Sequence, residues 1–329
     1  MQYRVLGSTG LQISEIVFGA GAVGGVVFQS ERETRIEAVR RALKAGINWI
    51  DTAPSYGAGR SEENLGWILK TLQATPYLST KVHIKPEHLS DIPGEIQRSL
   101  EASLQRLQRD TVDLLQLHTP VTRERGTLRN SIAITDVLRK GGVVSGFERL
   151  REQGLVRFFG FTGLGDTDCL HELITSGHFQ AVQAYYNLLN PSAGRPVPPH
   201  FSAQNYRQLI DLAAAHGVGV LNIRVLAAGA LAGKAPPAGF PVLSPGSDSD
   251  ADMARAEKVR QALGLEWPDM VQTAIRFALM HPGVSGVLVG FSTPEQVDEA
   301  VAASTLGPLP PTVLQRLDAL YASDFQEAR

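Results

Sequence analysis

The chain has 329 residues, of which 43% are hydrophobic and 19% charged, with a formal net charge of −2. That is an ordinary globular composition able to bury a large core, and it carries no broad basic field of the kind that holds nucleic acid. The opening "MQYRVLGSTG" forms no apolar signal segment, and no uninterrupted apolar run approaches the roughly 18 residues of a membrane span, so the expectation is a cytoplasmic protein without nucleic-acid or membrane partners.

In chain order, "YRVLGSTGLQIS" alternates around Gly-Ser-Thr-Gly and predicts a small hairpin. The first strand, "EIVFGA", runs into Gly19-x-Gly21-x-x-Gly24, the spacing of a dinucleotide-binding fingerprint. Such a fingerprint must open directly into its helix, with an acidic residue about 20 positions on. Here "VVFQ" intervenes before Ser30-x-x-Glu33, which reads as the capping box of the first helix, and Asp51 lies too far along. The glycines are read instead as a loop that passes close beneath a ligand.

Gly46 ends that helix, and the second strand "INWID" leads into the loop "TAPSYGAG" and then the third strand, "YLSTK". Ile96, Leu100, Leu104 and Leu107 follow at helical spacing and predict a core-facing stripe before the fourth strand, "VDLLQLH". Ser145-x-x-Glu148 reads as a second capping box, with Gly154 ending its helix ahead of "VRFFGFT". The only cysteine, Cys169, sits in "DTDCLHELITSG" as a small packing residue that can form no internal disulfide. The strands "AVQAYYN" and "VGVLNI", separated by a helix ending at Gly217, are each followed by an irregular Pro-, Gly- and Ser-rich stretch, "NPSAGRPVPPHFSAQN" and "APPAGFPVLSPGSDSD". After the last strand, "GVLVG", Thr293-Pro294-Glu295-Gln296 is a strong helix start with a Thr/Gln capping box.

Strands alternating with helices pair in parallel, and near-continuous apolar strands belong to a sheet covered on both faces. Eight such units without a linker predict an α/β fold, a (β/α)8 TIM barrel as one domain over residues 1–329, with the N-terminal hairpin plugging its bottom. Both irregular stretches are then expected over the C-terminal mouth, where barrel sites lie. A helix N-terminus just after the last strand is a ready phosphate site.

At that mouth the strand ends contribute Asp51, Lys81 and His118, and Tyr56 is close enough in its loop to fold back over them. Four polar groups converging from adjacent strands suit proton transfer by the phenol. An ammonium about 4 Å from the phenol favours the phenolate by ~4 kcal/mol in a surface-like dielectric, which predicts a value lowered from about 10 to near 7. Asp51 would hold Lys81 charged, and His118 would orient the oxygen being protonated. One His, one Asp and a Lys make a poor metal ligand set, so no metal is expected. His83 and His88 lack partners at ligand spacing and are read as solvated.

The stretches "GINWIDTAPSYGAGRSEENLG", "LSTK", "DLLQLH", "GLVRFFGFTG", "VQAYYNLL", "LAAGALAGK" and "VGFSTPEQVDEAVAA" together resemble, in order and across nearly the whole chain, the aldo/keto reductase superfamily. The resemblance implies a TIM barrel that binds NADP(H), or NAD(H), without a Rossmann fold, and interconverts a small carbonyl and its alcohol. It assigns Tyr56 as general acid/base and Asp51, Lys81 and His118 as the rest of a tetrad. It also implies that Gly21, Ala22 and Val23 pass under the nicotinamide and that Thr162 and Gln183 hold its carboxamide, with Tyr186-Asn187 next in the pattern. Ile223, Arg224, Leu226, Gly229 and Lys234 would wrap the pyrophosphate, and Gly290, Ser292, Gln296 and Glu299 would surround the adenosine.

The chain departs from the common pattern at Thr162-Gly163, where many members have Ser-Asn, at Ile223, where a ring often stacks, and at Ala300, where Asn is common. "GFSTPEQ" also lacks the Arg or Lys that frequently reads a 2′-phosphate. Thr162-Gly163 and "VLVGFSTPEQ" are similar to the branch that oxidises free sugars at the anomeric carbon, where NAD can serve, so an NAD-preferring aldose 1-dehydrogenase is the first alternative. A low-turnover nucleotide-sensing subunit is the second, and the complete tetrad argues against it. Neither the substrate nor the oligomeric state is written in these patterns.

Overall fold

The chain begins with the hairpin its alternation predicts: Tyr3–Val5 (β1) pairs antiparallel with Gln12–Ser14 (β2). In the computed structural model, which describes residues 1–235 and 248–326, the hairpin closes one end of a barrel. Leu6, Leu11 and Ile13 form one buried cluster with Val17, Trp49, Leu114, Ala181 and Leu221, which come from five different barrel strands. Gly7 is required for this fit, since a Cβ there would lie 2.2 Å from the backbone nitrogen of Gly219.

The remaining strands in order are Ile16–Gly19 (β3), Trp49–Asp51 (β4), Tyr77–Val82 (β5), Val112–Leu117 (β6), Val121–Thr122 (β7), Ile132–Ala133 (β8), Val156–Thr162 (β9), Ala181–Tyr185 (β10), Gly219–Ile223 (β11) and Val284–Gly290 (β12). The two short ones, β7 and β8, pair with each other; the other eight close in parallel, in the order β3, β4, β5, β6, β9, β10, β11, β12 and back to β3. These eight are the apolar runs read from the sequence. Their outward side chains pack under helices, and their inward side chains fill the lumen, which is why the runs show little alternation.

The helices are Val26–Gln29 (α1), Arg32–Lys44 (α2), Arg60–Thr71 (α3), Ile92–Leu107 (α4), Ile134–Leu138 (α5), Val143–Glu152 (α6), Thr167–Thr175 (α7), Leu209–Ala215 (α8), Ser249–Leu263 (α9), Trp267–Leu279 (α10), Glu295–Ala303 (α11) and Pro311–Ala322 (α12). Gly46, Gly154, Gly177 and Gly217 end their helices with φ between 68° and 92°, as expected. Ile96, Leu100, Leu104 and Leu107 are buried along α4. Truncating Leu100 to Ala is expected to cost about 2–5 kcal/mol, read as a lower urea midpoint at unchanged slope.

Two caps differ from expectation. Ser30 does not cap α2; its hydroxyl donates to the carbonyl of Val26 at 2.5 Å, so it closes the preceding turn, and Glu31 takes the cap position. "VVFQ" is itself the one-turn helix α1. Ser145 lies inside α6, whose cap is Gly142, and its Oγ instead accepts from the Gly141 N–H at 3.0 Å. Of the two irregular stretches, 190–205 is irregular and follows β10, while most of "APPAGFPVLSPGSDSD" lies outside the described residues. Cys169 is fully buried on α7. No helix among the described residues is long and apolar enough to cross a membrane.

Candidate active site

Alternation along parallel strands decides which side chains meet inside the barrel. Asp51 ends β4, Lys81 lies in β5 and His118 follows β6, and the register sets Asp51 beside Ser79 and Lys81 beside Gln116. Lys81 and Asp51 are 1% and 2% exposed and form an ion pair, with Lys81 Nζ also donating to the carbonyl of Thr52 at 2.8 Å. The ammonium lies 4.8 Å from the centroid of the Tyr56 ring, and the His118 ring meets Tyr56 edge-on with centroids 6.1 Å apart. The four residues singled out from the sequence are therefore together at one mouth.

Tyr56 is carried there by a short loop that α3 anchors. Ser61, in the first turn of α3, hydrogen-bonds Thr52 at 2.8 Å and donates to the carbonyl of Ala20 at 2.9 Å, while its N–H donates to the carbonyl of Tyr56 at 3.3 Å. Glu62 is fully buried behind it, accepting from Arg106 at 2.7 Å and from the Thr80 hydroxyl. The loop that bears the phenol is thereby tied to both neighbouring strands.

A polar layer beneath the tetrad escaped the sequence reading. Asp51 Oδ2 accepts from Ser79 Oγ at 2.7 Å, Gln116 Nε2 at 3.0 Å and Gln183 Nε2 at 2.9 Å, and Trp49 Nε1 donates to Ser79 Oγ at 3.0 Å. The available signal was the period of two: Ser79 precedes Lys81, and Gln116 precedes His118, by two positions on the same inward face.

Charge follows this geometry. Tyr56 is half-buried as a residue, and burial pushes its phenol above its ordinary value. Lys81 pulls it down and Asp51 pushes it up. The expected phenol near 7 is thus corrected: in the free protein desolvation outweighs the ammonium. For Lys81, burial acts to lower the value, yet Asp51 and Tyr56 together carry it above the ordinary range, so it stays charged. Burial, then Lys81 and His83, hold His118 well below the usual histidine range, so it is neutral at pH 7. His83 is not fully solvated; it is half-buried, with Nδ1 3.4 Å from the carbonyl of His118.

The residues expected around a cofactor lie in or after the strands β3, β9, β10, β11 and β12. Gly21 flanks the phenol, and a Cβ there would lie 3.4 Å from the Tyr56 ring; Ala22 continues the half-buried loop. The same loop presses on the end of β12: a Cβ on Gly24 (φ 97°) would meet Phe291 N at 2.5 Å, and one on Gly290 would meet Val23 O at 2.1 Å. Within Gly-x-Gly-x-x-Gly, Gly19 and Gly24 thus serve close approach to the backbone of β12 and Phe291, and Gly21 faces the Tyr56 ring. Thr162 and Gln183 are both 2% exposed, with Thr162 Oγ1 donating to Gln183 Oε1 at 3.2 Å.

Ile223 ends β11 and is buried. Arg224, Ala227 and Ala228 all have φ between 46° and 58°, left-handed conformations that side chains rarely adopt and that cluster where a function over-determines them. Asn187 steadies this turn by donating to the carbonyl of Arg224 at 2.8 Å. Burial pushes the Arg224 guanidinium below its ordinary value, and Tyr185 and Tyr56 act to raise it. Leu226 is half-buried, Gly229 has φ 112° with its carbonyl accepting from Lys234 N–H at 3.1 Å, and the Lys234 side chain is exposed. Beyond β12, Ser292 and Glu299 are exposed, and Gln296 Oε1 accepts from Ser292 N–H at 2.7 Å, one half of the expected capping box displaced by one residue.

Comparison with known proteins returns to the same barrel. The model of the aldo/keto reductase family matches residues 15–322. L-galactose dehydrogenase of Arabidopsis thaliana is 30% identical over 93% of this chain and 88% of its own. Versiconal hemiacetal acetate reductase of Aspergillus parasiticus is 25% identical over 98% of this chain and 97% of its own. A solved aldo-keto reductase of Bacillus halodurans, in its holo form, superposes with a TM-score of 0.74 at 25% identity, over 98% of this chain and 96% of that one.

Proposed function

Because the chain belongs to the aldo/keto reductase family and is an oxidoreductase, we propose that it interconverts a small carbonyl compound and its alcohol with a nicotinamide cofactor, Tyr56 acting as general acid/base. The carrying observation is the buried Lys81–Asp51 pair set against a phenol that keeps its proton at neutral pH. The residues present suit a nicotinamide: a bare backbone at Gly21 beside the phenol, a polar pair at Thr162 and Gln183, and the strained turn from Arg224. When bound, that cofactor supplies or accepts a hydride at the substrate carbon.

This chain's own residues handle the proton. In reduction, Tyr56 Oη gives its proton to the substrate oxygen, and the phenolate left behind is stabilised by Lys81, whose charge Asp51 holds. A neutral His118 can hydrogen-bond that oxygen without competing for the proton. In oxidation the same phenolate takes the proton back.

A second reading, an NAD-preferring dehydrogenase of free sugars, is favoured by the start of α11. Residues 290–299 contain no Lys, Arg or His, whereas Glu295, Asp298 and Glu299 are exposed carboxylates. Arg41 of α2, which reaches two of them, is held by Glu37, Glu295 and Asp298 at 2.8, 3.1 and 3.2 Å. A 2′-phosphate there would meet like charge. The name of the Arabidopsis relative agrees with a sugar substrate. Fluorescence titration with NADH and NADPH tests both readings: saturable binding of either supports the nicotinamide site, NADH at parity or better supports sugar oxidation, and binding of neither by folded protein removes the proposal.

A further inference from the structure

We propose that Phe28, on the one-turn helix α1, is the positioning residue that seats Tyr56, so that one short segment carries both the bare backbone beside the phenol and the prop behind its loop. The inference rests on the acid/base reading of Tyr56 above and deepens it.

The segment touches the Tyr56 loop at two places. At Gly21 a Cβ would lie 3.4 Å from the Tyr56 ring. Further along, the Phe28 ring lies against Gly57, the residue after Tyr56: a Cβ there would meet Cδ2, Cγ and Cε2 of Phe28 at 2.7, 3.0 and 3.1 Å. Phe28 is 5% exposed. Arg60 reaches the same two residues, its guanidinium 5.8 Å from the Phe28 centroid and its Nε donating to the Gly57 carbonyl at 3.0 Å.

Hydrogen bonds alone leave the loop some freedom. Ser61 anchors its far end, but the bonds nearest the phenol run within the loop: Tyr56 N–H to the Ala53 carbonyl at 3.1 Å, and Ala58 N–H to the Ser55 carbonyl at 3.4 Å. A loop closed on itself can swing as a unit. A close-packed ring against Gly57 resists that swing, because dispersion contacts are forfeited over a fraction of an ångström.

The prop is itself anchored. Val26 N–H donates to the Phe291 carbonyl at 2.9 Å, Gly25 N–H to the Gly21 carbonyl at 3.2 Å, and Asn64 Nδ2 of α3 to the Val27 carbonyl at 2.9 Å. Trp67 Nε1, which is donor-only, occupies Asn64 Oδ1 at 2.9 Å and so fixes which end of that amide faces α1. A helix of four residues has little stability of its own, so these ties hold Phe28 in place. Proton transfer needs the Tyr56 hydroxyl within hydrogen-bond reach of the substrate oxygen, and a misplacement of ~1 Å can cost ~10²-fold in rate.

The test is a double-mutant cycle on the full-length protein, Phe28→Ala with Tyr56→Phe, in whichever of 4-nitrobenzaldehyde reduction and free galactose oxidation wild type performs. Phe28→Ala is expected to lower kcat about 10- to 10²-fold while the dissociation constant of the dinucleotide stays within about twofold. In the Tyr56→Phe background, where no hydroxyl is left to misplace, the same change is expected to cost less than about twofold. Equal losses in both backgrounds, a loss of dinucleotide binding that matches the loss of kcat, or an unchanged kcat overturns the inference. A crystal structure of Phe28→Ala gives a readout free of turnover: a Tyr56 hydroxyl displaced by ~1 Å or more supports the inference, and one at its wild-type place overturns it. Binding of neither NADH nor NADPH by folded wild type removes the nicotinamide reading, and the place of Tyr56 in that crystal still decides the role of Phe28. Circular dichroism checks each variant, and should Phe28→Ala not fold, Phe28→Leu, which keeps an apolar side chain without the ring, is read in the same way.

Discussion

Replacing Tyr56 by Phe is expected to lower kcat by about 10²- to 10⁴-fold while leaving the dissociation constant of the dinucleotide unchanged. The substitution removes only the hydroxyl. The ring would keep its edge contact with His118, 6.1 Å between centroids, its place beside Gly21, and the Lys81 ammonium 4.8 Å from its centroid. Binding and chemistry therefore separate, which no general loss of structure would produce. Steady-state rates beside a fluorescence titration measure the two quantities on the same sample. A variant turning over at the wild-type rate would assign the proton to another group, and Tyr56 would be a packing aromatic.

Replacing Lys81 by Met is expected to cost about 3–5 kcal/mol of stability, together with the loss of turnover, because it leaves Asp51 as a buried carboxylate without its counter-charge. Ser79, Gln116 and Gln183 would still donate to Asp51, but three neutral donors do not neutralise it. The pH dependence has a definite sign. Lys81 is raised in the folded state, so its contribution is fully present below the ordinary lysine value, about 10.4, and is lost as pH rises through the higher folded value. The stability gap between wild type and variant should accordingly be flat across neutral pH and narrow only in alkali. Urea denaturation at a series of pH values reads it; a gap that closes already at neutral pH would mean that Lys81 is not held charged. The double replacement Lys81→Met with Asp51→Asn should recover much of the loss, since both charges then leave the core while an amide oxygen remains to accept from the donors around it.

The barrel was legible because its apolar runs are long, regularly spaced and bounded by helix stops such as Gly46 and Gly154. The meeting of these four residues was legible because Asp51, Lys81 and His118 stand at or near strand ends, where a barrel directs side chains into one mouth, and Tyr56 follows Asp51 in a short loop. Ser79 and Gln116 were not, although the same period places them: neither residue type announces chemistry, and only the register with Asp51 and Lys81 gives them a partner. The acidity of Tyr56 was misjudged for another reason. Coulomb attraction to Lys81 can be guessed from sequence, whereas the desolvation that overrides it exists only once the chain is folded. The start of α2 shows tertiary override in miniature: α1 is fixed by Val26 N–H donating to the carbonyl of Phe291 at 2.9 Å, a contact between opposite ends of the chain, and Ser30 is drawn into finishing that turn.

That join between the ends has a consequence in time. The first barrel strand, β3, finds one neighbour in β4 soon after it, but its other edge pairs with β12, Ile16 opposite Val287. At ordinary rates of synthesis the partner emerges on the order of ten seconds to a minute later. During that interval the nascent sheet is an open ribbon with an unpaired edge, and the glycine loop has no Phe291 to lean on. The ring closes, and the floor beside Tyr56 is completed, only after β12 and Phe291 have left the ribosome.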